Sequence, residues 1–356
     1  MYLMHKDTPV LEINNGIKVL DKDLLPFVLK KNSVDYDDIY GNFLSYRAIN
    51  VSRSYAKELM QQLKISQNNP VKVCLAVHSV SYMDCYWTKE ENEDLTWKDV
   101  SLFQVPPDKD IAKLAFTGMG QMFHVHKLHT PELTTQGLSA KCWNWHADQC
   151  FLYKASRKEL AASELLDQLE FQHLSYQEAT SDEITAITTP ERLEQIREAG
   201  ELIVKCPCMT TENISLVTFE EFSVFCENNN CNPYEFITKH FSERYDEMIL
   251  ADYLLGNTDR HIGNWGLLYD ADTMQIIGLH PLMDHDRAFS NENLKTQTLE
   301  HDILMKDAVE ALSLSDDVCR KIEKLTRPKG LTNVEWCGVM ERVGIVLQIQ
   351  QKRGPD

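Results

Sequence analysis

Residues 252–289 read DYLLGNTDRHIGNWGLLYDADTMQIIGLHPLMDHDRAF, and they carry more structural information than any other part of the chain. An apolar helical pattern runs up to Gly256, a residue type that commonly ends helices, and the polar loop NTDRHIGN follows it. Two apolar runs, WGLLY and MQIIGL, flank the turn DAD and predict a β-hairpin. The hairpin is expected to return the chain to the polar loop at Asp284.

Three oxygen-bearing side chains are therefore expected to converge at one end of this unit. Asp259 and Asn264 lie in the same loop, and Asp284 follows the hairpin. Carboxylate and amide oxygens are the ligands that Mg2+ prefers, and a carboxylate left free of metal can accept a proton from an attacking hydroxyl. The alternative is that Asn-Thr-Asp merely caps the preceding helix, which would make the position of Asp284 a coincidence.

The string N-T-D-R-H-x-x-N, with Asp284 beyond a hairpin, resembles the catalytic and metal-binding loops of protein-kinase-like enzymes. The His follows the Asp here, as in HipA-like kinases, and the shorter string D-R-H-x-x-N is similar to phosphoinositide kinases. The resemblance implies that Asp259 is the catalytic base, that His261 braces the loop, and that Asn264 and Asp284 hold Mg2+. Arg260 departs from many HipA-like sequences and brings the loop closer to the phosphoinositide-kinase form.

The same resemblance implies a phosphate loop upstream of the catalytic loop. Residues 134–141, TTQGLSAK, look like the HipA phosphate loop, in which a hydroxyl residue, a Gly and a Lys follow in that order. Gly137 would let the backbone approach phosphate, and Ser139 and Lys141 join it in the implied nucleotide-binding set. On its own, a loop with one glycine is more typical of a plain hairpin turn.

A lysine and a glutamate for the nucleotide follow in the order that the resemblance implies. Lys154 lies in the predicted strand CFLYKA, residues 150–155, and would contact the α and β phosphates. We expect Glu164, on the predicted helix 158–169, to pair with Lys154, because leucines flank it and would turn that face inward. Glu159 is the competing choice, but its place at the helix entrance suits an interaction with the helix dipole.

The resemblance implies an α+β, two-lobed protein-kinase-like fold with a β-rich N-lobe, a helical C-lobe and an N-terminal accessory subdomain. We place the accessory subdomain at residues 1–110, the nucleotide-binding N-lobe at 111–222 and the catalytic C-lobe at 223–356. Two adjacent prolines near the end of the first unit predict a hinge. The segment LVTFEEF, residues 216–222, occupies the place of the linker between the lobes, and Glu220 is assigned to the nucleotide-binding set by this position alone.

The composition of the 356 residues limits the classes of partner. Apolar residues make up 43% and charged residues 25%, which is typical of a folded globular protein. The formal net charge of -18 repels nucleic-acid phosphates and anionic membrane surfaces, so we expect neither as a direct partner. The sequence has no signal-peptide pattern, and its 10 cysteines lack paired metal-site spacing, so we expect a cytoplasmic chain with free thiols.

Taken with the resemblance, the sequence predicts a kinase that uses ATP and Mg2+ and transfers the γ-phosphoryl group to a Ser or Thr hydroxyl of a protein. Thr134, Thr135 and Ser139 are candidates for transfer to the enzyme itself. Some HipA-like kinases are toxins that work beside an antitoxin, so a regulatory protein partner is implied, whereas the identity of the substrate is not. Three alternatives stay open: a lipid or small-molecule kinase, a nucleotide-binding pseudokinase that serves as an interaction module, and transfer of AMP by a kinase fold.

Overall fold

The computed structural model describes residues 1–65, 69–120, 129–291, 295–296 and 303–353. Within these residues the strands form two four-stranded sheets, one three-stranded sheet and one two-stranded ribbon. The strands of each sheet pair in antiparallel fashion, and helices pack against the sheets. This arrangement confirms the predicted α+β class.

The first four-stranded sheet belongs to the N-terminal subdomain and has the order β3-β2-β1-β4. Its strands are β1 (Tyr2–His5), β2 (Thr8–Ile13), β3 (Ile17–Val19) and β4 (Tyr86–Lys89). The helices of this part are α1 (Ser45–Arg47), α2 (Ala56–Gln62), α3 (Pro70–Leu75), α4 (Trp97–Val100) and α5 (Lys109–Thr117), with further helical turns at Phe27–Leu29 and Asp38–Leu44. The predicted boundary after residue 110 falls inside α5.

The second four-stranded sheet has the order β5-β6-β8-β7 and forms the core of the next unit. Its strands are β5 (Lys141–His146), β6 (Gln149–Ala155), β7 (Gln177–Glu178) and β8 (Ile203–Pro207). The helices are α6 (Arg157–Leu169), α7 (Ser181–Ile187) and α8 (Pro190–Glu198), and a helical turn at Pro131–Thr134 precedes the sheet. The predicted strand at 150–155 and the predicted helix at 158–169 are both confirmed to within one residue.

Alternation along β5 and β6 explains why two lysines face the same side of this sheet. The strands pair in a register that places Lys141 directly opposite Lys154, so the two side chains leave the same face. Tyr153, the neighbour of Lys154 in the strand, points to the opposite face and is fully buried in the main hydrophobic core. Both lysines are also nearly buried, with exposures of 6% and 4%.

The C-terminal part of the chain combines a small sheet of order β11-β10-β9 with long helices. Its strands are β9 (Ile214–Thr218), β10 (Gly266–Asp270) and β11 (Ile276–Leu279), with the ribbon β12 (Lys295–Thr296) and β13 (Ile303–Leu304). The helices are α9 (Phe219–Asn228), α10 (Pro233–Leu255), α11 (Met305–Ala311), α12 (Asp316–Glu323) and α13 (Asn333–Arg353). The predicted hairpin after the polar loop is present as β10 and β11. No helix in the described part of the chain is both long and apolar enough to cross a membrane.

Helix α10 delivers the polar loop to its place. The apolar face predicted at Phe241, Tyr245, Met248, Ile249 and Tyr253 is buried at the last four positions, whereas Phe241 is partly buried and has a non-helical backbone conformation. Burial of such a side chain contributes about 1.5 to 3 kcal/mol to stability. Just beyond the loop, Trp265 stacks on the Phe219 ring with a centroid separation of 3.9 Å. Packing therefore fixes the chain on both sides of the polar loop.

Gly256 ends α10, as predicted, in the left-handed conformation with φ of +61°. A Cβ at this position would lie 2.4 Å from the Ser290 carbonyl oxygen, because the segment after Asp284 crosses the end of the helix here. The amides of Phe289 and Ser290 donate to the carbonyls of Leu255 and Gly256. The segment that carries Asp284 is thereby attached to the same helix end as the polar loop.

Candidate active site

A cavity of about 180 Å³ lies between the N-terminal subdomain, the β5-β6-β8-β7 sheet and the polar loop. The predicted site residues on its wall are Gly137, Lys141, Lys154, Asn264 and Asp284. An apolar part of the wall comes from Leu152, Leu174, Tyr176, Leu216 and Met283. The fold thus brings five of the predicted residues to one cavity, next to a surface that suits a flat apolar group.

Lys154 lies between two carboxylates. Its ammonium donates to Glu159 Oε1 at 2.6 Å and to Asp284 Oδ1 at 2.8 Å. Burial opposes the charge on Lys154, but Asp284 and Glu159 raise its pKa well above the usual value. In spite of burial, the Lys154 ammonium keeps the pKa of Asp284 far below its usual range. Both groups therefore stay ionised, and their contact joins the β-sheet to the segment after the hairpin.

The partner of Lys154 on α6 is Glu159, and the prediction that Glu164 pairs with this lysine is wrong. Helix α6 begins almost immediately after β6, so its first turn is the part that lies beside Lys154. Glu159 is fully buried there, and its second oxygen accepts the His285 amide at 3.0 Å. Glu164 lies about 140° around the helix and about 7.5 Å further along it, where it accepts the backbone amide of Lys329 at 2.8 Å.

Gly137 and Lys141 shape the phosphate loop. Gly137 has φ of +99°, a backbone conformation that residues with a side chain rarely adopt, and a Cβ there would lie 2.3 Å from Lys141 Nζ, so the end of the lysine would have to shift. Burial and the neighbouring Lys154 ammonium lower the pKa of Lys141 to about 8. Two ammonium groups on directly opposed residues favour the binding of a polyanion, because a bound phosphate would reduce the repulsion between them.

Ser139 contacts the segment that follows Asp284 instead of lining the cavity. Its exposed hydroxyl donates to Asp286 Oδ2 at 3.2 Å. Sequence reasoning missed Asp286, although its spacing of two residues from Asp284 was a visible signal. This hydrogen bond places the predicted phosphate loop against the segment that carries Asp284.

Arg260 is the buried centre of the catalytic loop, with a side-chain exposure of 0%. Its guanidinium pairs with Asp252 of α10 at 3.0 Å and donates to the carbonyls of Asn264 at 2.8 Å and Met283 at 2.7 Å. A single cation thus holds the helix end, the catalytic loop and the residue before Asp284. No contact of Arg260 was predicted from the sequence. The presence of an aspartate, Asp252, on the preceding helix was the one indication that Arg260 could have a buried ion-pair partner.

Asp259, His261 and Asn264 surround one turn of this loop. The Asn264 side-chain amide donates to the Asp259 carbonyl at 2.8 Å, and the Gly263 amide donates to His261 Nδ1 at 3.1 Å, in agreement with a bracing role for His261. The Asp259 carboxylate is 37% exposed and lies 3.6 Å from Arg287 Nε. Partial burial raises the pKa of Asp259 against the opposing effect of Arg287. An accessible carboxylate of this kind suits a proton acceptor.

Asn264 and Asp284 are the cavity-wall residues best suited to a hard cation. Among the described residues, no cluster of three or more His, Cys, Asp or Glu is arranged to hold a metal ion by itself. Mg2+ is commonly held by one or two protein oxygens together with substrate phosphates, and an ionised Asp284 beside an Asn fits that pattern. The residues present therefore fit a cation that arrives with a polyphosphate.

The predicted linker LVTFEEF is a strand only in its first part. Leu216 and Thr218 lie in β9 and line the cavity, but the chain then enters α9, because Thr218 and Glu221 form a capping box. Glu220, which was assigned to the nucleotide-binding set by position alone, is an exposed first-turn residue of α9 and is not part of the cavity wall. Its amide donates to the carbonyl of Ile262, so it supports the catalytic loop from outside.

The connection between β8 and β9 contributes wall residues that sequence reasoning missed. Cys208, Met209 and Thr210 line the cavity, next to Tyr82 of the N-terminal subdomain. The Thr210 hydroxyl donates to the Tyr82 carbonyl, and the nearby Glu212 accepts the Trp97 indole N–H at 2.8 Å. The N-terminal subdomain is therefore part of the wall and not a distant appendage.

Comparisons with known proteins agree with this geometry at the level of fold. A family model for phosphatidylinositol 3- and 4-kinases matches residues 152–326, just under half of the chain. HipA from Shewanella oneidensis MR-1, solved with HipB and operator DNA as a toxin–antitoxin system, is similar with a TM-score of 0.52 and 11% identity, covering 99% of this chain and 96% of that chain. The Helicobacter pylori proinflammatory kinase CtkA gives a TM-score of 0.41 and 14% identity, covering 60% of this chain and 93% of that chain. No curated protein matches the sequence.

The likeness to HipA extends over nearly the whole chain and establishes a protein-kinase-like fold, as predicted. The matched family segment contains Lys154, the catalytic loop and Asp284, and it supports phosphoryl transfer of the kinase type. At 11% identity the likeness to HipA is one of fold, and the two comparisons leave a protein and a lipid substrate as alternatives.

Proposed function

We propose that this chain is a kinase that uses ATP with Mg2+ and transfers the γ-phosphoryl group to a Ser or Thr hydroxyl of a protein. The observation that carries the proposal is one cavity whose wall holds Gly137, Lys141, Lys154, Asn264 and Asp284. Two cations, a glycine turn and two metal-binding oxygens around a small volume suit a nucleotide polyphosphate with a divalent cation. The apolar remainder of the wall suits a base.

Each charged residue has a distinct task in this proposal. Lys154, oriented by Glu159, would contact the α and β phosphates, and Lys141 with the amides of the Gly137 loop would hold the outer phosphates. Asn264 and Asp284 would hold Mg2+, which when bound neutralises part of the phosphate charge. Positioning and charge neutralisation supply most of the rate enhancement in such reactions.

Asp259 would orient the acceptor hydroxyl and take its proton. The hydroxyl oxygen forms a bond to the γ phosphorus while the bond from that phosphorus to the β–γ bridging oxygen breaks, and ADP leaves. The raised pKa of Asp259 places the carboxylate closer to the range in which a proton acceptor is effective. Arg260 would keep the loop in place without contacting the reacting atoms.

Among the hydroxyls considered for transfer to the enzyme itself, Ser139 is the accessible one. Thr134 is 1% exposed, and its hydroxyl donates to the Val80 carbonyl at 2.6 Å. Thr135 is partly buried and donates to the Pro131 carbonyl at 2.7 Å. Any self-transfer is therefore expected at Ser139. A regulatory protein partner remains a proposal that follows from the resemblance to HipA-like kinases, and a cytoplasmic location remains a proposal that follows from the sequence pattern and the cysteine usage.

A lipid or small-molecule kinase is the second candidate. It is favoured by the phosphatidylinositol kinase family match and by Arg260 in the string D-R-H-x-x-N. The formal net charge of -18 opposes contact with an anionic membrane surface, and this favours a protein acceptor. A module that only binds nucleotide has no physical need for Asp259 as a proton acceptor.

The decisive experiment follows the label from ATP into different acceptors. We would incubate the protein with Mg2+ and either γ-labelled or α-labelled ATP, offering casein, histone and phosphatidylinositol vesicles. We expect γ label on Ser or Thr of protein, with Asp259→Asn as the inactive control. Label in lipid would support the second candidate, α label would indicate AMP transfer, and binding of ATP without transfer would indicate a pseudokinase.

A further inference from the structure

The phosphate loop is held by a residue from outside its own sheet. Arg53 belongs to the N-terminal subdomain, between α1 and α2, and its side chain is 4% exposed. The guanidinium donates to the carbonyls of Glu132 at 3.2 Å and Thr135 at 3.3 Å, where the loop begins, and to the carbonyl of Lys141, where the loop ends. One rigid group thus joins both ends of the loop.

Two further contacts attach the same loop to the same subdomain. The Ser54 amide donates to the Leu138 carbonyl at 3.0 Å. The Gln136 side-chain amide donates to the carbonyls of Tyr46 and Ala48, the latter at 2.9 Å. The beginning, middle and end of the loop are therefore all bound to residues 46–54.

These contacts determine where the loop amides point. In a trans peptide the C=O and N–H bonds point in opposite directions, so anchoring the carbonyls of Thr135 and Leu138 turns the amides of Gln136 and Ser139 away from the N-terminal subdomain. Within the described residues these two amides donate to no protein acceptor. With Gly137 between them at φ of +99°, they leave free donors of the kind that bind phosphate.

A comparison with Arg47 indicates that Arg53 is not simply a core residue. Arg47 lies in the same subdomain at 7% exposure and forms an ion pair with Asp84 at 2.6 Å. In the part of the chain that the structure describes, Arg53 has no carboxylate at ion-pair distance, and burial lowers its pKa to about 10. Burying a guanidinium that contacts only carbonyls costs folding free energy. The contacts of Arg53 organise the phosphate loop.

We propose that Arg53 is a positioning residue, which holds the loop carbonyls so that the loop amides and Lys141 face the phosphates of the nucleotide. The inference rests on the proposed function and deepens it, because it makes residues 1–110 part of the phosphate-binding site. Arg53 acts through the loop and does not contact the nucleotide.

The test compares Arg53→Lys with the matched control Arg47→Lys, using calorimetric titration of Mg-ATP and of adenosine. Arg53 reaches the two ends of the loop from two different guanidinium nitrogens, and the single nitrogen of a lysine cannot do so. Arg53→Lys should therefore weaken Mg-ATP binding by about tenfold and adenosine binding by less than about twofold. Arg47→Lys should lower the melting temperature but leave both affinities unchanged. Unchanged Mg-ATP affinity in Arg53→Lys, or an equal loss for both ligands, would overturn the proposal.

If Arg53→Lys does not fold, Gln136→Ala removes another attachment of the loop at an exposed position. We expect it to weaken Mg-ATP binding about threefold with adenosine unaffected, and an unaltered Mg-ATP affinity would overturn the proposal. A wild type that binds Mg-ATP but transfers no label would refute the proposed function, while the effect of Arg53→Lys on binding would still support the positioning role. A wild type that binds no Mg-ATP would overturn both.

Discussion

The catalytic loop and the phosphate loop face the same cavity, but they are stabilised in different ways. Arg260 holds the catalytic loop through partners no more than 25 positions away in the sequence. Arg53 holds the phosphate loop through carbonyls that are 79 to 88 positions away. The catalytic loop therefore takes its shape from residues nearby in the sequence, whereas the phosphate loop depends on contacts with residues that are distant in the sequence.

The largest expected effect comes from removing the carboxylates of the locally stabilised region. Asp259→Ala should lower the turnover number by about 10²- to 10⁴-fold and leave Mg-ATP affinity nearly unchanged, because it removes only the proton acceptor. Asp284→Ala should also abolish transfer and should weaken Mg-ATP binding as well. Label transfer and calorimetry measure the two effects, and Asp272→Ala, at an exposed turn, is the control. Wild-type turnover in either variant would refute the site assignment.

The second-largest effect is expected at Lys154, where the strand that follows the phosphate loop contacts the segment that carries Asp284. Glu159→Gln removes a buried charged partner, so we expect the free energy of unfolding to fall by about 1.5 to 3 kcal/mol, with weaker binding of Mg-ATP. Glu164→Gln, on another face of the same helix, should change stability by less than about 0.5 kcal/mol. Denaturant unfolding of both variants checks this. Equal effects of the two substitutions would contradict the assignment of Glu159 as the partner of Lys154.

A smaller effect tests the shape of the phosphate loop. Gly137→Ala places a Cβ against Lys141 Nζ and forces alanine into a left-handed conformation that costs about 1 to 2 kcal/mol. Mg-ATP affinity should fall by about tenfold, as measured by calorimetry. Gly278→Ala is the matched control, because the space around Gly278 is open and it lies in β11. A loss of the same size in the control would argue against a special role for the loop.

The smallest effect concerns pH and the charge on Lys141. Its pKa of about 8 in the folded protein is below the usual 10.5, so the unfolded chain holds more protons between these pH values. The titration of Lys141 therefore increases the free energy of unfolding as pH rises from about 8 to about 10.5. Mg-ATP affinity should change in the opposite direction, falling about three- to tenfold between about pH 7 and 9.5 as the ammonium loses its proton. Lys141→Met should remove this part of the pH dependence, and an identical profile in that variant would exclude Lys141 as its source.

Local patterns in the sequence were sufficient to predict those elements that are held by contacts between residues close in the sequence. The helix end at Gly256, the polar loop and the hairpin were predicted from one stretch, and the structure contains all three. Glu159 was considered as the partner of Lys154 but was not chosen, because its role depends on the packing of the first turn of α6 against β6, which leucine spacing does not reveal. The start of α9 at Thr218 could have been inferred from the Thr-x-x-Glu spacing, but the segment was assigned as a linker by its position alone. Arg53 had no local signal, since its acceptors are distant in sequence.

The position of Lys154 between Glu159 and Asp284 also affects how quickly a nucleotide can be accommodated. The carboxylate and the ammonium are paired before any ligand enters, so neither charge is left isolated in the buried site. Arrival of a metal-bound polyphosphate then exchanges one set of ionic partners for another. Association is therefore expected in a single kinetic phase whose rate depends on access to the cleft and on ionic strength.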